Sequence, residues 1–276
     1  MATRYHQFAR NLAAALARLV PPEEARSEAG RWLEEGLGRS RAWLAAHGEE
    51  PVPRGELDQA AEWLRRRRQG EPWAYILGWT PFRGRRFQVT PATLIPRPET
   101  ELVLEAALEL GRRLKTLHAC DIGTGCGILG VTLALETDWE VVATDLSLAA
   151  LAVARANAEA LGARLRFAQG DLLAAVPDPA GLVVCNPPYV DPADRPGLQR
   201  ELAFEPPEAL FAEDRGLAVA SELLRQARRR SAPGCVLEIG AGQGVELTAR
   251  ARAAGWKRVV VHRDLAGHDR VLMAVG

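Results

Sequence analysis

The chain has 276 residues, of which 47% are hydrophobic and 25% charged, the balance of a globular protein rather than a disordered one. This length fits one large domain or two ordinary ones. Lys plus Arg and Asp plus Glu both number 35, so the chain as a whole is attracted neither to nucleic acid nor to an anionic membrane. This balance weakens a nucleic-acid-binding function without excluding it. We expect that no direct nucleic-acid binding is required and that there is no membrane partner.

The first 20 residues place Arg and Ala at helical spacing and lack the apolar region and cleavage site of a signal peptide. No segment approaches the roughly 20 apolar residues that span a bilayer. The cysteines stand in apolar or Gly-rich contexts without a C-x-x-C pair, at Cys120, Cys126, Cys185 and Cys235. We predict a cytoplasmic protein with buried thiols and no metal site.

Residues 1–75 have the pattern of a small helical domain. Apolar residues recur at helical spacing from Phe8 to Leu19, and Pro21 with Pro22 is expected to end this helix. Shorter helices should follow, separated by breaks rich in Gly and Pro. The run Arg65–Arg68 suggests either an RNA contact or the solvated end of a helix, and the second is favoured for such a short run.

The next segment, 76–92, changes character. Phe82, Phe87 and Val89 flank Gly84, which predicts a β-hairpin linker. Pro98 is then followed by acidic residues, as at the start of a helix, where acids lie near the positive end of the helix dipole. From about residue 117, seven apolar runs alternate with helical patterns. Residues 93–276 are therefore predicted to form an α/β domain with a doubly wound, mainly parallel seven-stranded sheet and an antiparallel edge.

The first of these strands ends in the glycine loop DIGTGCG, in which Gly123, Gly125 and Gly127 would let a ligand approach the backbone closely. Asp145 ends the next strand, where a carboxylate can accept both hydroxyls of a ribose. Asp171 ends the third strand, where an adenine would lie. These strand ends resemble those of S-adenosylmethionine-dependent methyltransferases, which have a Rossmann-like sheet. Dinucleotide binding is the competing interpretation, but Asp121 before the glycines fits the methyltransferase pattern better.

A second glycine loop, VLEIGAGQG (236–244), looks like a rival cofactor loop. Only 32 residues follow Gly244, too few for the βαβ units that would complete an adenosyl pocket. We predict that this segment is a later strand, turn and helix of the same sheet.

The fourth strand is followed by NPPY, Asn186–Tyr189, which should lie beside the reactive methyl of the cofactor. The side-chain oxygen of Asn186 and the carbonyl of Pro187 could accept the two hydrogens of a planar NH₂ group. Pro188 would restrict the backbone of Pro187, and Tyr189 could supply a wall. The simpler alternative is a loop that only ends a strand.

Motifs along nearly the whole chain resemble one family, the glutamine N5-methyltransferases of peptide-chain release factors, also called the HemK or PrmC family. The shared motifs are EPWAYILG, FRGRRFQV, TLIPRPETE (93–101), DIGTGCG, TDLS, NPPY, EPPEAL (205–210), LEIGAGQG and a final D-x-x-G-x-x-R (264–270). NPPY also occurs in amino-methyltransferases of nucleic-acid bases, whereas TLIPRPETE together with EPPEAL is far more specific.

The resemblance implies methyl transfer from S-adenosylmethionine, which becomes S-adenosylhomocysteine, to the side-chain nitrogen of glutamine in the Gly-Gly-Gln motif of class 1 release factors. The implied cofactor-binding residues are Gly123, Thr124, Gly125, Cys126, Gly127, Asp145, Asp171, Leu172 and Asn186. The implied catalytic and substrate-binding residues are Asn186, Pro187, Pro188 and Tyr189. The helical domain would help to dock the release factor, and we expect a monomer.

The resemblance leaves alternatives. A sister group that methylates a glutamine of a ribosomal protein shares most of these motifs, and enzymes acting on DNA or RNA bases share NPPY. A binding module without activity would keep only the fold, and an eroded NPPY or glycine loop would have favoured it. Leu172 stands where many relatives carry an aromatic residue, which questions adenine stacking at this position. Cys126 replaces a Ser or Thr at a position that needs only backbone contact.

Overall fold

The computed structural model describes residues 2–178 and 180–276. The chain folds into two compact units, Met1–Leu77 and Gly78–Gly276. The residues of the predicted β-hairpin lie within the second of these units. Within the described residues, no helix combines the length and the apolarity that crossing a membrane requires.

The smaller unit is built from helices around an aromatic core. Its helices are α1 (Tyr5–Leu16), α2 (Pro22–Arg31), α3 (Arg41–His47), α4 (Arg54–Arg68) and α5 (Trp73–Leu77), with a π-helical turn at Trp32–Gly36. Trp32 stacks on Trp73 with ring centroids 4.7 Å apart, and Trp63 meets both rings edge-on. Such aromatic pairs add to the burial of apolar area and hold this unit together.

One expectation for the helical region was wrong, and a second holds only in part. Pro21 and Pro22 do not end the first helix, because α1 already stops at Leu16 and Pro22 is the first residue of α2. Proline suits that position, since the first N–H of a helix needs no partner within the helix. The arginine run is not simply solvated either: Arg67 is 8% exposed and its Nε lies 2.8 Å from Glu28 Oε1.

The larger unit begins with the predicted hairpin, confirmed as β1 (Trp79–Phe82) paired antiparallel with β2 (Arg85–Gln88). The buried side chain of Asn157 accepts a hydrogen bond from the N–H of Gln88 at 2.7 Å. Its Nδ2 donates to the carbonyls of Gln88 and Cys126. One amide side chain thus ties the hairpin to the first glycine loop.

The predicted α/β fold is confirmed in the rest of the larger unit. Its elements are α6 (Thr100–Leu114), β3 (His118–Ile122), α7 (Ile128–Glu136), β4 (Glu140–Asp145), α8 (Leu148–Leu161), β5 (Arg166–Gln169), β6 (Leu182–Cys185), α9 (Pro207–Leu210), α10 (Glu213–Gly216), α11 (Ala218–Arg229), β7 (Gly234–Glu238), α12 (Gly244–Ala253), β8 (Arg258–Arg263) and β9 (Asp269–Val275). Short 3₁₀ turns occur at Pro192–Gly197 and Arg200–Phe204.

Seven strands form one sheet in the order β5-β4-β3-β6-β7-β9-β8. The first five of these are parallel, and β9 is antiparallel to both of its neighbours. The central strands β6 and β7 are buried along their whole length, as apolar strands covered on both faces must be. The chain order reverses between β3 and β6, so the sheet opens a ligand crevice at the carboxyl ends of these strands.

The four cysteines are free and buried in this unit, as expected. Burial raises the pKa of the Cys120 and Cys126 thiols to about 12. Both thiols are therefore neutral and act as small apolar side chains.

Candidate active site

A cavity of about 660 Å³ lies at the switch point of the sheet. Its walls come from the first glycine loop, the ends of β4 and β6, the loop after β5, residues of TLIPRP and residues of EPPEAL. A volume of this size suits a ligand as large as a nucleoside derivative. The structure thus brings separate motifs of the sequence to one place.

The glycine loop has the backbone that its sequence predicts. Gly123 and Gly125 have φ of +66° and +55°, where a side chain would strain the backbone, and both line the cavity. Gly127 does not line it in the part of the chain that the structure describes. A Cβ on Gly127 would lie 3.2 Å from Cβ of Ala154 on α8, so this glycine permits close packing of the loop against that helix.

Asp121, at the end of β3, is 1% exposed and lines the cavity. Its Oδ2 accepts hydrogen bonds from Thr124 Oγ1 at 2.6 Å and from the N–H of Gly130 at 2.8 Å. Its Oδ1 is buried and has no hydrogen-bond partner among the described residues. Desolvation raises the pKa of Asp121 to about 6. One oxygen of this carboxylate is thus buried beneath the wall of the cavity without a hydrogen-bond partner among the described residues.

The predicted acidic strand ends meet in the same cavity. Asp145 Oδ2 accepts from the N–H of Gly125 and Oδ1 from that of Ser147, both at 2.9 Å, so the carboxylate is held against the glycine loop. Asp171 also lines the cavity. The charged residues of the described lining are all carboxylates, namely Asp121, Asp145, Asp171, Glu208 and Glu222. The cavity is therefore suited to a cationic ligand.

Two leucines provide apolar surface beside these acids. Leu172 lines the cavity and has φ of +46°, an uncommon backbone for a side chain of this size. Leu146, directly after Asp145, lines it as well while remaining 61% exposed. Leu146 was missed in the sequence, although an apolar residue directly after an acidic strand end could have drawn attention to it.

The NPPY segment follows β6, and Asn186, Pro187 and Pro188 line the cavity. Tyr189 does not line it within the described chain. The Tyr189 hydroxyl donates to Glu238 Oε1 at 3.2 Å, and its carbonyl accepts from Gln243 Nε2 at 3.0 Å. Tyr189 as a wall for the substrate stays a prediction.

Asn186 is joined to a buried polar network. Its Nδ2 lies 3.3 Å from Thr100 Oγ1, and the Thr100 hydroxyl donates to Glu238 Oε2 at 2.7 Å. Thr100 and Glu238 are 0% and 1% exposed, and desolvation raises the pKa of Glu238. Neither residue was assigned a role from the sequence. The sequence does carry one signal, since Glu238 stands alone at the end of the apolar strand GCVLEIG. An acid is rarely buried without a partner, so a polar partner for Glu238 could have been expected.

The two most specific motifs contact each other through Glu205, which is 3% exposed. Its Oε2 accepts from the N–H of Ile95 at 2.9 Å, and its Oε1 accepts from the Arg97 guanidinium. Glu205 belongs to EPPEAL, and the other two belong to TLIPRPETE. The contact therefore fixes the loop that carries Pro96 and other lining residues.

The second glycine loop is confirmed as a strand, turn and helix of the same sheet, formed by β7 and α12. Gln243 of this loop accepts from the N–H of Gly240 at 2.8 Å and donates to the carbonyls of Tyr189 and Arg215. Gln243 and Glu238 both contact Tyr189, so the second glycine loop packs against NPPY and supports it.

The chain also matches known protein families. Residues 9–78 match the PrmC N-terminal domain and residues 100–214 match the Methyltransferase small domain. The release factor glutamine methyltransferase of Bordetella pertussis (strain Tohama I) is 44% identical over 92% of this chain and 96% of its own length. The enzyme of that name from Salmonella typhimurium (strain LT2) is 37% identical over 93% of this chain and 94% of its own length.

Solved structures share the fold at low sequence identity. The hMettl16 catalytic domain in complex with a 3′UTR hairpin has a TM-score of 0.58 at 16% identity, covering 80% of this chain and 82% of its own. The N-terminal domain of human METTL16 in complex with SAH has a TM-score of 0.52 at 16% identity, covering 83% and 85%. These likenesses establish the methyltransferase fold of the larger unit.

Proposed function

The chain belongs to the release factor glutamine methyltransferase family, and from this premise we propose that it methylates the glutamine of the Gly-Gly-Gln motif in class 1 peptide-chain release factors. It is an S-adenosylmethionine-dependent methyltransferase. One observation carries the substrate assignment: Asn186 and Pro187 line the same cavity as the glycine loop and the acidic strand ends. A methyl donor and a planar amide can therefore meet there.

The cavity fits the cofactor by charge. S-adenosylmethionine supplies an activated methyl on a positive sulfonium and also carries an ammonium group and a carboxylate, so its net charge is positive. Five residues that carry carboxylates line the cavity, and the negative charge of Asp121 would attract the ammonium. Asp145 would take the ribose hydroxyls, and Leu146 and Leu172 would contact the adenine. A dinucleotide would instead bring its negative pyrophosphate against the same carboxylates.

The NPPY residues can prepare the substrate nitrogen. The lone pair of an amide nitrogen is delocalised into its carbonyl, so the group is a poor nucleophile. Asn186 Oδ1 and the Pro187 carbonyl would accept its two hydrogens, fix its orientation and stabilise the positive charge that develops on it. The proton becomes acidic once the nitrogen is alkylated and would pass to solvent.

The choice of protein substrate is the finer part of the proposal. The helical unit would help to dock the release factor, and a single copy of the chain would suffice. A glutamine of a ribosomal protein could be held by the same two acceptors, and only the docking would differ. Nucleic-acid bases are disfavoured because the net charge is zero and the described cavity lining carries carboxylates but no Lys or Arg.

The test offers labelled S-adenosylmethionine with release factor, ribosomal protein and DNA side by side. We expect label in the release factor and none when its Gly-Gly-Gln glutamine is replaced by Ala. Asn186→Ala should abolish transfer while cofactor binding, measured by calorimetry, persists. Equal labelling of the glutamine-free release factor would refute the substrate assignment.

A further inference from the structure

The side-chain amide of Asn186 has two ends of almost the same shape, an acceptor oxygen and a donor NH₂. In the proposed reaction only the oxygen helps, because the substrate nitrogen also presents hydrogens. An Asn186 amide turned by 180° would face the substrate donor to donor. Some feature of the protein must therefore select one of the two orientations.

We propose that Thr100 and Glu238 are positioning residues that hold Asn186 with Oδ1 toward the substrate amide. The inference rests on the proposed function, and it assigns a part in the reaction to two buried residues outside NPPY. Neither is part of the described cavity lining. They act on the substrate only through Asn186.

The direction of the hydrogen bonds follows from the number of hydrogens in the network. The carboxylate of Glu238 has acceptors only, and its Oε2 takes the single hydrogen of the Thr100 hydroxyl at 2.7 Å. Thr100 Oγ1 can then offer only a lone pair toward Asn186, 3.3 Å away. A turned amide would place two oxygens in contact without a hydrogen between them. The network therefore admits Nδ2 at this contact and excludes Oδ1.

The surroundings keep this direction from reversing. Tyr189 donates its hydroxyl to the other oxygen of Glu238 at 3.2 Å, so both carboxylate oxygens are occupied as acceptors. Glu238 and Thr100 are 1% and 0% exposed, so water does not offer Thr100 another acceptor. An unsatisfied polar group at this depth is costly, which makes the selected orientation strongly preferred.

Three replacements of Thr100 separate the hydroxyl from the packing of the side chain. Thr100→Ser keeps the hydroxyl and loses a methyl, whereas Thr100→Val keeps the shape and loses the hydroxyl. We expect kcat of the Ser variant to stay within about threefold of wild type and that of the Val variant to fall about 10- to 100-fold. Thr100→Ala, also without the hydroxyl, should fall as far as Val. If Thr100 only filled space, kcat would follow the opposite order, and the Val variant would retain the most activity.

Calorimetry with S-adenosylmethionine shows whether each variant is folded, and its affinity should be unchanged in all three. A second readout is specific to orientation. Two release-factor variants serve as inhibitors, one with Glu and one with Ala in place of the Gly-Gly-Gln glutamine. The Glu variant brings a carboxylate against Asn186 Oδ1 and the Pro187 carbonyl, which are both acceptors. It should therefore inhibit the wild-type enzyme more weakly than the Ala variant does. In Thr100→Val the amide can turn and donate to that carboxylate, so the ratio of the two inhibition constants should fall toward one.

Wild-type kcat in Thr100→Val, or a loss in Thr100→Ser equal to that in Thr100→Val, would overturn the inference while wild type still methylates the release factor. An unchanged ratio of inhibition constants in the Val variant would overturn it as well. Wild-type enzyme that transfers no methyl to the release factor would overturn the proposed function, and the inference with it.

Discussion

Replacing Gly216 by Ala should move the segment that we propose holds the substrate. Gly216 has φ of +79°, and a Cβ added there would lie 2.0 Å from the carbonyl oxygen of Tyr189. Non-bonded heavy atoms keep roughly 3.5 Å, so the two segments must separate by about 1.5 Å. Because a displacement of about 1 Å in a reacting group can cost 10²-fold in rate, we expect kcat of Gly216→Ala to fall about 100-fold.

A matched control separates this displacement from backbone strain. Gly242 has a similar φ of +80°, but a Cβ added there meets nothing within 4 Å. Each alanine should lower the free energy of unfolding by about 1–2 kcal/mol, because its backbone must adopt a left-handed conformation. For Gly242→Ala we expect this loss of stability and no large change in kcat.

Urea unfolding of both variants measures the strain, and methyl transfer to a release factor measures the displacement. Cofactor affinity should be close to wild type in Gly242→Ala, because Gly242 does not line the described cavity. NPPY residues do line that cavity, so kcat of Gly216→Ala is measured at saturating S-adenosylmethionine to separate methyl transfer from cofactor binding. If Gly216→Ala keeps kcat within threefold of Gly242→Ala, the supposed dependence of catalysis on the position of NPPY is incorrect.

Two further predictions concern the cofactor. Burial raises the pKa of Asp121 to about 6. The ammonium group of the cofactor stabilises the ionised form of this carboxyl, so cofactor affinity should fall as the pH drops through 6. Calorimetry from pH 5 to 8 should show this loss of affinity. Asp121→Asn should weaken binding about 10- to 100-fold and remove that pH dependence, and a dependence that persists would contradict the assignment. Leu172→Phe should tighten binding by about two- to tenfold if adenine contacts this residue, and unchanged affinity in equilibrium dialysis would exclude the contact.

The fold was accessible from the sequence because its signals are local. Apolar runs mark the strands, the glycines after β3 mark a turn into a helix, and strands alternating with helices dictate a parallel sheet. The same local signals place Asp145 and Asp171 at strand ends. Parallel strands bring those ends to one edge, so the composition of the cavity wall could be predicted before its shape was known.

The contacts that organise the site were not accessible, since they join residues far apart in the chain. Thr100 and Glu238 are separated by 138 positions, and Arg97 and Glu205 by 108. Periodicity shows that a helix begins near Thr100, but it gives no information on which side chain will face its hydroxyl. Composition likewise could not tell that Arg67, within a run of four arginines, would be buried with an acid from another helix.

Locating the transferred methyl group shows which residue of the release factor the enzyme modifies. A release factor is incubated with the protein and S-adenosylmethionine, digested, and sequenced by tandem mass spectrometry. We expect a single methyl on the side-chain nitrogen of the Gly-Gly-Gln glutamine, and none after incubation with Asn186→Ala. A methyl on any other residue, or on that glutamine in equal amount with the Asn186→Ala variant, would contradict this expectation.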